Sequence, residues 1–455
     1  MKILFNQDPK QVAVVSGKNV WTYEALGVEI KKRSTIINSL HSDKDKVLFL
    51  KRNDISFICD FFACVEKDIP VILADYELNN EVVHILKECS ATMICADICD
   101  EEKWKQVLSD NQIDFTFFYA NGSLWVNVVV PKVSNTLLIN AYLIQYTSGS
   151  TGTVRGAVHT RDTFSYMKRD FARFIGMKVG EKFIASISLS HGYGFTCILI
   201  TCLCNGGVLY LVDGKSIPLI LKTIEKERIQ YLFSIPPVFQ ALCRYLKIRT
   251  FDLSSLKFCC SSAMKLNQNI ADLFKETTGM FLNQEYGSAE TSVVSVTQYT
   301  EETYNTQNLG FCIDSVKIKI ATDGEILVYS DSMAIGYADG TWFKKPFPMG
   351  DIGAILKNGE LCVHGRKKRL IDVGGKKFFL DEIENVLSKA PGLVDSMIKF
   401  KDGILIAYVV LGRETDINML MHYCAENLAA FKQPKKYIIV DSLKRSSMGK
   451  VKFNQ

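Results

Sequence analysis

Residues 146–156 read YTSGSTGTVRG, with three glycines, two serines, three threonines and one arginine following an apolar run over 137–144. That composition suits a strand that runs into a loop built to hold phosphate. Gly149, Gly152 and Gly156 let the backbone approach a polyanion with no Cβ in the way. Thr147, Ser148, Ser150, Thr151 and Thr153 supply neutral hydroxyl donors, and Arg155 adds a permanent cation. The spacing is not a Walker A sequence, which needs G-x-x-x-x-G-K-[ST]. Four further groups follow: Tyr286-Gly287-Ser288-Ala289-Glu290, Asp351 after Gly350, Arg366 after Gly365, and Lys450 after Gly449. A ring, a carboxylate, a carboxylate with an arginine, and a lone terminal lysine are what an ATP-dependent reaction at a phosphate needs. They provide a stacking surface for the base, a magnesium ligand, a ribose clamp and a mobile cation.

Positioning such groups requires a scaffold, and the chain of 455 residues is long enough for two or three domains, with 47% hydrophobic content for their cores. Short β-branched runs at 47–50, 71–73 and 91–95 alternate with helical patterns and resume at 182–185, 207–212, 231–234 and 256–260. This alternation predicts an α/β fold in which parallel sheets are covered by helices on both faces, two βα subdomains in series. Between 316 and 355 the texture becomes alternating strands with turns at Asp323-Gly324 and Asp339-Gly340, a β-rich module. Arg366-Lys367-Lys368-Arg369 marks a linker. Beyond it a helix over 380–387, a strand over 404–410, a helix over 417–428 and a strand over 437–440 predict a small α+β domain. The expected division is therefore a large domain over 1–366 and a small mobile domain over 367–455.

The net charge of +5 carries no long basic block, so no nucleic-acid partner is expected. No run reaches the length of a membrane span, and no signal peptide is expected from the short apolar N-terminal stretch. The fourteen cysteines are scattered without CxxC or zinc spacings, which reads as reduced thiols and a cytoplasmic location. The histidines show no paired spacing, so no metal beyond magnesium is expected.

In order and spacing these groups resemble the adenylate-forming superfamily of acyl- and aryl-CoA synthetases, amino-acid adenylation domains and luciferases, over nearly the whole chain. The resemblance implies that Thr147 to Gly156 is the phosphate loop, with Val154 and Arg155 where the family has proline and lysine. It implies that Ser261-Ser262-Ala263 forms the adenine turn, that Tyr286, beside Gly287 and Ser288, stacks on the base, and that Glu290 and Thr151 serve the magnesium ion. Ala289 departs from the family's threonine or serine and removes one phosphate contact, and the sequence leaves open whether Thr291 replaces it. Asp351 and Arg366 would hold the ribose, Lys368 would be the hinge, and Gly374 and Gly375 would line the thiol's approach. Asp372 stands where the family has lysine. Lys450 would stabilise charge that builds between the attacking carboxylate and the α-phosphate.

The segment 187–195, ISLSHGYGF, resembles the family's acyl-pocket stretch, with His191 as gate and neighbour of the substrate carboxylate. It carries no acidic residue, which speaks against an α-amino acid, since a buried ammonium without a counter-charge costs several kcal/mol. The implied activity is an acid–thiol ligase: a small aryl or acyl acid and MgATP give an acyl-adenylate and pyrophosphate, and a thiol then displaces AMP. The acceptor is coenzyme A or the phosphopantetheine of an acyl carrier protein. The competing expectations are an amino-acid adenylation enzyme loading a carrier protein, an oxidative or lactone-forming relative, and a degenerate nucleotide-binding regulatory protein.

Overall fold

A computed structural model describes residues 7–40, 46–79, 81–148, 154–373, 375–412 and 415–443. It divides into two compact units, one of Met1–Tyr304, Gly310–Lys317 and Tyr329–Phe347, the other of Asn305–Leu309, Ile318–Val328 and Pro348–Gln455.

The first unit contains the two expected βα sheets. In one, Val71–Leu73, Val47–Leu50 and Met93–Ala96 run parallel, with Leu143–Ser148 parallel to Val71–Leu73 on the other side. Antiparallel strands complete its eight members. In the other, Val12–Ser16, Val208–Leu211, Lys182–Ala185, Tyr231–Ser234, Phe258–Ser261 and Asn283–Ser288 are parallel neighbours in that order. Short strands in these sheets are buried at every position, as the four residues of Val47–Leu50 and Tyr231–Ser234 show, because helices cover both faces. Helix Ile55–Glu66 is almost wholly apolar for the same reason, and its start is fixed by Asp54, whose carboxylate accepts from the Phe57 amide at 2.6 Å.

The apolar run over 137–144 is not one strand. Thr136–Ile139 is a helical turn capped by the Asn135 side chain, and the strand begins only at Leu143. A continuous apolar run is equally compatible with a buried helix and a buried strand; the cap decides between them.

The second unit joins the β-rich module, a four-stranded sheet of Val316–Ile320, Glu325–Ser330, Phe347–Ile355 and Leu361–Arg366, to the α+β segment. This contact-based division differs from a cut at 366, because most of the four-stranded sheet belongs with the segment that follows it. In that segment helix Leu380–Leu387 falls where expected, and strands Leu393–Lys401, Ile404–Leu411 and Lys436–Ile439 form one sheet. Ile383, Leu387, Leu405, Ala407, Val409 and Leu420 fill its core. Among the described residues no helix is long and apolar enough to cross a membrane.

Candidate active site

Residues 146–156 are not a loop throughout. Strands Leu143–Ser148 and Val154–His159 form a hairpin in which Tyr146 lies opposite Gly156, Thr147 opposite Arg155 and Ser148 opposite Val154. Only 149–153 connect them; Gly149, Ser150, Thr151 and Gly152 lie outside the described residues. Gly156 is required by packing rather than by a polyanion, since a Cβ there would sit 2.5 Å from the Tyr146 ring. Arg155 is already partnered. Its guanidinium lies 3.4 Å from the centroid of the Tyr337 ring, and Nη2 is 2.9 Å from Asp339 Oδ2.

Tyr337 leads to Glu290. Its hydroxyl donates to Glu290 Oε1 at 2.7 Å. The main chain here is held from two further sides: the Ala334 amide donates to the Glu290 carbonyl at 2.8 Å, and His159 Nε2 lies 2.8 Å from the Ala289 carbonyl. His159 is fully enclosed, and burial pushes its pKa down to about 4, so the ring is neutral and Nε2–H is the donor. Ala289 packs with Ala157, Ala334 and Phe343. Thr291 does not replace the missing hydroxyl: it is fully buried, and its Oγ1 donates to the Ser292 carbonyl at 3.2 Å and accepts from Ser288 Oγ at 3.1 Å. Tyr286 and Gly287 straddle a register shift in strand Asn283–Ser288, with Tyr286 half-buried. Gly287 admits no side chain, because a Cβ would lie 2.2 Å from the Ser292 carbonyl oxygen.

The adenine-turn residues follow strand Phe258–Ser261. Ser261 and Ser262 are buried, and Ala263 takes a left-handed φ of 66°. Ser262 donates to the carboxyl of Glu285, a residue the sequence reading missed. Burial pushes Glu285 up to about 7, against the opposing effect of the Ser262 hydrogen bond. Tyr193, Cys197 and Cys260 lie within its electrostatic reach, so the fold sets a carboxyl beside the segment that has none of its own. A glutamate directly before Tyr-Gly, in the polar strand Asn283–Ser288 of a sheet whose other parallel strands are mostly apolar, was the available signal.

His191 is half-buried at the head of a wide-turn helix, Gly194–Ile200, with its Nδ1 3.4 Å from the Tyr193 amide. The backbone before it is clamped from the other sheet. Asn53 Nδ2 donates to the Ile187 carbonyl at 2.6 Å, the Leu189 amide donates to Asn53 Oδ1 at 2.8 Å, and Ser190 Oγ reaches the Lys51 carbonyl at 3.3 Å. Lys51 is itself fully buried against Ser123 and Asp60 at 2.6 and 3.2 Å, and Asp60 also binds Arg33 at 2.7 Å. A charge cluster that closed anchors backbone rather than reacting with a ligand.

In the second unit, the fifteen-residue spacing of Asp351 and Arg366 becomes a cross-strand register. The two residues sit directly opposite, with Arg366 Nε 3.1 Å from Asp351 Oδ1. Gly350 takes a φ of 71°, a conformation a side chain resists. Lys367 binds Asp323 and Glu325, each at 2.7 Å, while Arg369 binds Asp381 and Glu384 at 3.0 and 2.7 Å. Lys368, exposed between them, makes no ion pair among the described residues. Asp372 closes the following hairpin by accepting from the Gly375 amide at 2.8 Å, which gives that departure a local structural role. Gly374 and Lys450 lie outside the described residues.

Two α/β sheets that carry a hydroxyl- and glycine-rich hairpin beside a held carboxylate, followed by a unit with a paired aspartate and arginine, describe a nucleotide-using activating enzyme. Known proteins make this specific. The model of the AMP-binding enzyme family matches residues 4–338, and that of the AMP-binding enzyme C-terminal domain matches 382–450. The 2-succinylbenzoate–CoA ligase of Listeria monocytogenes is 24% identical over 98% of this chain and 96% of its own length. The long-chain-fatty-acid–CoA ligase of Escherichia coli is 26% identical over 68% of this chain but only 60% of its own. Among solved structures, ATP-bound MatB from Rhodopseudomonas palustris has a TM-score of 0.84 at 19% identity, covering 99% of this chain and 96% of that one. The o-succinylbenzoate coenzyme A synthetase of Bacillus subtilis in complex with AMP scores 0.82 at 20% identity, over 97% and 94%. The chain belongs to the AMP-binding enzyme family.

Proposed function

We propose that this enzyme is an ATP-dependent acid–thiol ligase. A small aryl or acyl carboxylate attacks the α-phosphorus of ATP to give acyl-AMP and pyrophosphate, and a thiol then displaces AMP. Little is asked of a general base, because a carboxylate is already ionised at neutral pH. The observation that carries the reading is the match of both family models in one chain, over residues 4–338 and 382–450.

In this reading Tyr286 stacks on the base beside Ser261, Ser262 and Ala263. Asp351 accepts from the ribose hydroxyls beside its ion pair with Arg366, and residues 147–155 hold the β- and γ-phosphates. Lys450 stabilises the charge that develops in the transition state, and Lys368 is the pivot that lets the two half-reactions use different arrangements. Glu290 fits a magnesium ion as a hard carboxylate oxygen donor on a partly exposed side chain. When bound, that ion would neutralise phosphate charge. His191 neighbours the substrate carboxylate, and Gly374 and Gly375 line the thiol's path.

A second substrate reading is favoured by Glu285: an acid whose body carries an amino or hydroxyl donor, for which a carboxyl within electrostatic reach of Tyr193 is a partner. Acid-dependent exchange of pyrophosphate into ATP, screened over aryl, short-acyl, amino-substituted and α-amino acids, tests both readings. Exchange with none of them leaves a nucleotide-binding protein. AMP release dependent on coenzyme A or on a phosphopantetheinylated carrier protein identifies the acceptor. Lys450→Ala should abolish adenylation and spare thiolysis of supplied acyl-adenylate; Lys368→Pro should do the reverse.

A further inference from the structure

Three side chains from separate parts of the first unit meet at Tyr337. The residue lies in the two-residue strand Gly336–Tyr337, opposite Ala157 of the phosphate hairpin. Arg155, two positions from Ala157, is on the same face of its strand, so the register alone brings its guanidinium over the Tyr337 ring. The ring's other contact is the edge of Phe343, with centroids 4.6 Å apart and planes at 85°. Backbone bonds fix the turn that follows: the Tyr337 amide donates to the Thr341 carbonyl at 2.8 Å and the Gly340 amide to the Tyr337 carbonyl at 3.0 Å. The same turn presents Asp339, whose Oδ1 accepts from the Thr341 amide at 2.8 Å and whose Oδ2 holds Arg155. The ring is therefore held on its edge, face and backbone, and its hydroxyl has one direction to point, toward Glu290 Oε1.

We propose that Tyr337 is a positioning residue for the Glu290 carboxylate and couples it to Arg155 on the phosphate hairpin. The proposal rests on the reading of Glu290 as the carboxylate that serves the metal. A glutamate side chain otherwise samples many rotamers. A donor on one oxygen fixes the plane of the carboxylate and directs the second oxygen, so the group meets the metal already oriented. Carboxylate ligands are commonly oriented in this way by an outer hydrogen bond. Toward a carboxylate, which only accepts, the Tyr337 hydroxyl is the donor. The Arg155 cation over the ring draws electron density from it and strengthens that donor. Arg155 thus acts on Glu290 through the ring, and its charge is shared with Asp339 rather than offered wholly to phosphate.

The test uses the full-length enzyme and three variants, Tyr337→Phe, Tyr337→Leu and Glu290→Gln. Affinity for ATP is measured calorimetrically with manganese and again with chelator, and bound manganese is read by its electron spin resonance signal. Loss of an outer-shell partner should weaken metal-dependent nucleotide binding about tenfold in Tyr337→Phe while leaving chelator-treated binding unchanged. The leucine variant, which also loses the Arg155 stack, should lose more. Manganese affinity equal to the parent's in Tyr337→Phe overturns the proposal. If Glu290→Gln also retains parental manganese affinity, it is the assignment of Glu290 that fails. Should the phenylalanine variant not fold, Arg155→Gln is measured instead; it keeps the hydroxyl and removes the cation. An increase of about threefold in metal requirement supports the coupling, and no increase overturns it.

Discussion

Glu285→Gln exchanges one titrating carboxyl for a neutral group of the same shape, and the raised pKa of that carboxyl gives the sign and the rough size of the effect on stability. Burial raises the native pKa from an ordinary 4.5 to about 7, so the folded chain binds this proton more tightly than the unfolded chain. The associated stability is complete below about pH 4.5, falls as pH rises, and is lost above about pH 7. Two and a half pH units at about 1.36 kcal/mol each give a penalty of about 3 kcal/mol for the wild-type enzyme in mildly alkaline solution. Near pH 8 the glutamine variant should therefore be more stable than the parent by about 2–3 kcal/mol, and near pH 5 the difference should vanish or reverse. Trp21, Trp104, Trp125 and Trp342 all belong to the first unit, as does Glu285, so tryptophan fluorescence in urea follows the unit concerned. A gain of that size moves the urea midpoint upward by about half a molar or more at pH 8. A difference independent of pH, or larger at pH 5, would refute the assignment of a buried, raised carboxyl.

His159 carries the opposite linkage. Its native pKa of about 4 lies below the ordinary 6.5, so acidification through that window should cost the parent about 3 kcal/mol relative to His159→Gln in the same urea experiment. Gly194→Ala places a Cβ 2.1 Å from the Ser188 carbonyl oxygen, a backbone atom that cannot step aside. A loss of about 2 kcal/mol or more, with impaired acid-dependent pyrophosphate exchange, should follow; a variant of parental stability would show that the turn before His191 is looser than its geometry. Asp351→Asn keeps the shape of the residue opposite Arg366 and removes its charge. The ATP concentration for half-maximal exchange should rise about tenfold, as expected for a lost charged hydrogen-bond partner, and an unchanged value would take Asp351 out of the nucleotide site.

Much of the fold was legible because its signals are local. Four-residue β-branched runs became buried parallel strands, and the helix over 380–387 appears with those bounds. Legibility failed where local patterns permit two structures. The run over 137–144 contains a capped helical turn, and six of the eleven residues 146–156 are strand, because pairing between Leu143–Ser148 and Val154–His159 is worth more to those residues than an open loop. Thr291, a free hydroxyl in the sequence, is turned inward by a left-handed Ser292 and spends its hydrogen bond on backbone.

Sequence by itself determined the residue types able to handle a nucleotide, their order, and the family they imply, since motif spacing and hydrophobic period are properties of neighbouring residues. Tertiary structure decided which charges are shared and which groups are shielded. Arg155 finds Asp339 and Tyr337 nearly two hundred residues away, Asp351 finds Arg366 through a hairpin register, and Glu285 and His159 acquire shifted pKa values from walls supplied by other strands. The physical reason is that Coulomb energy and desolvation depend on distance in space and on exclusion of water, and neither exists until separate segments pack together.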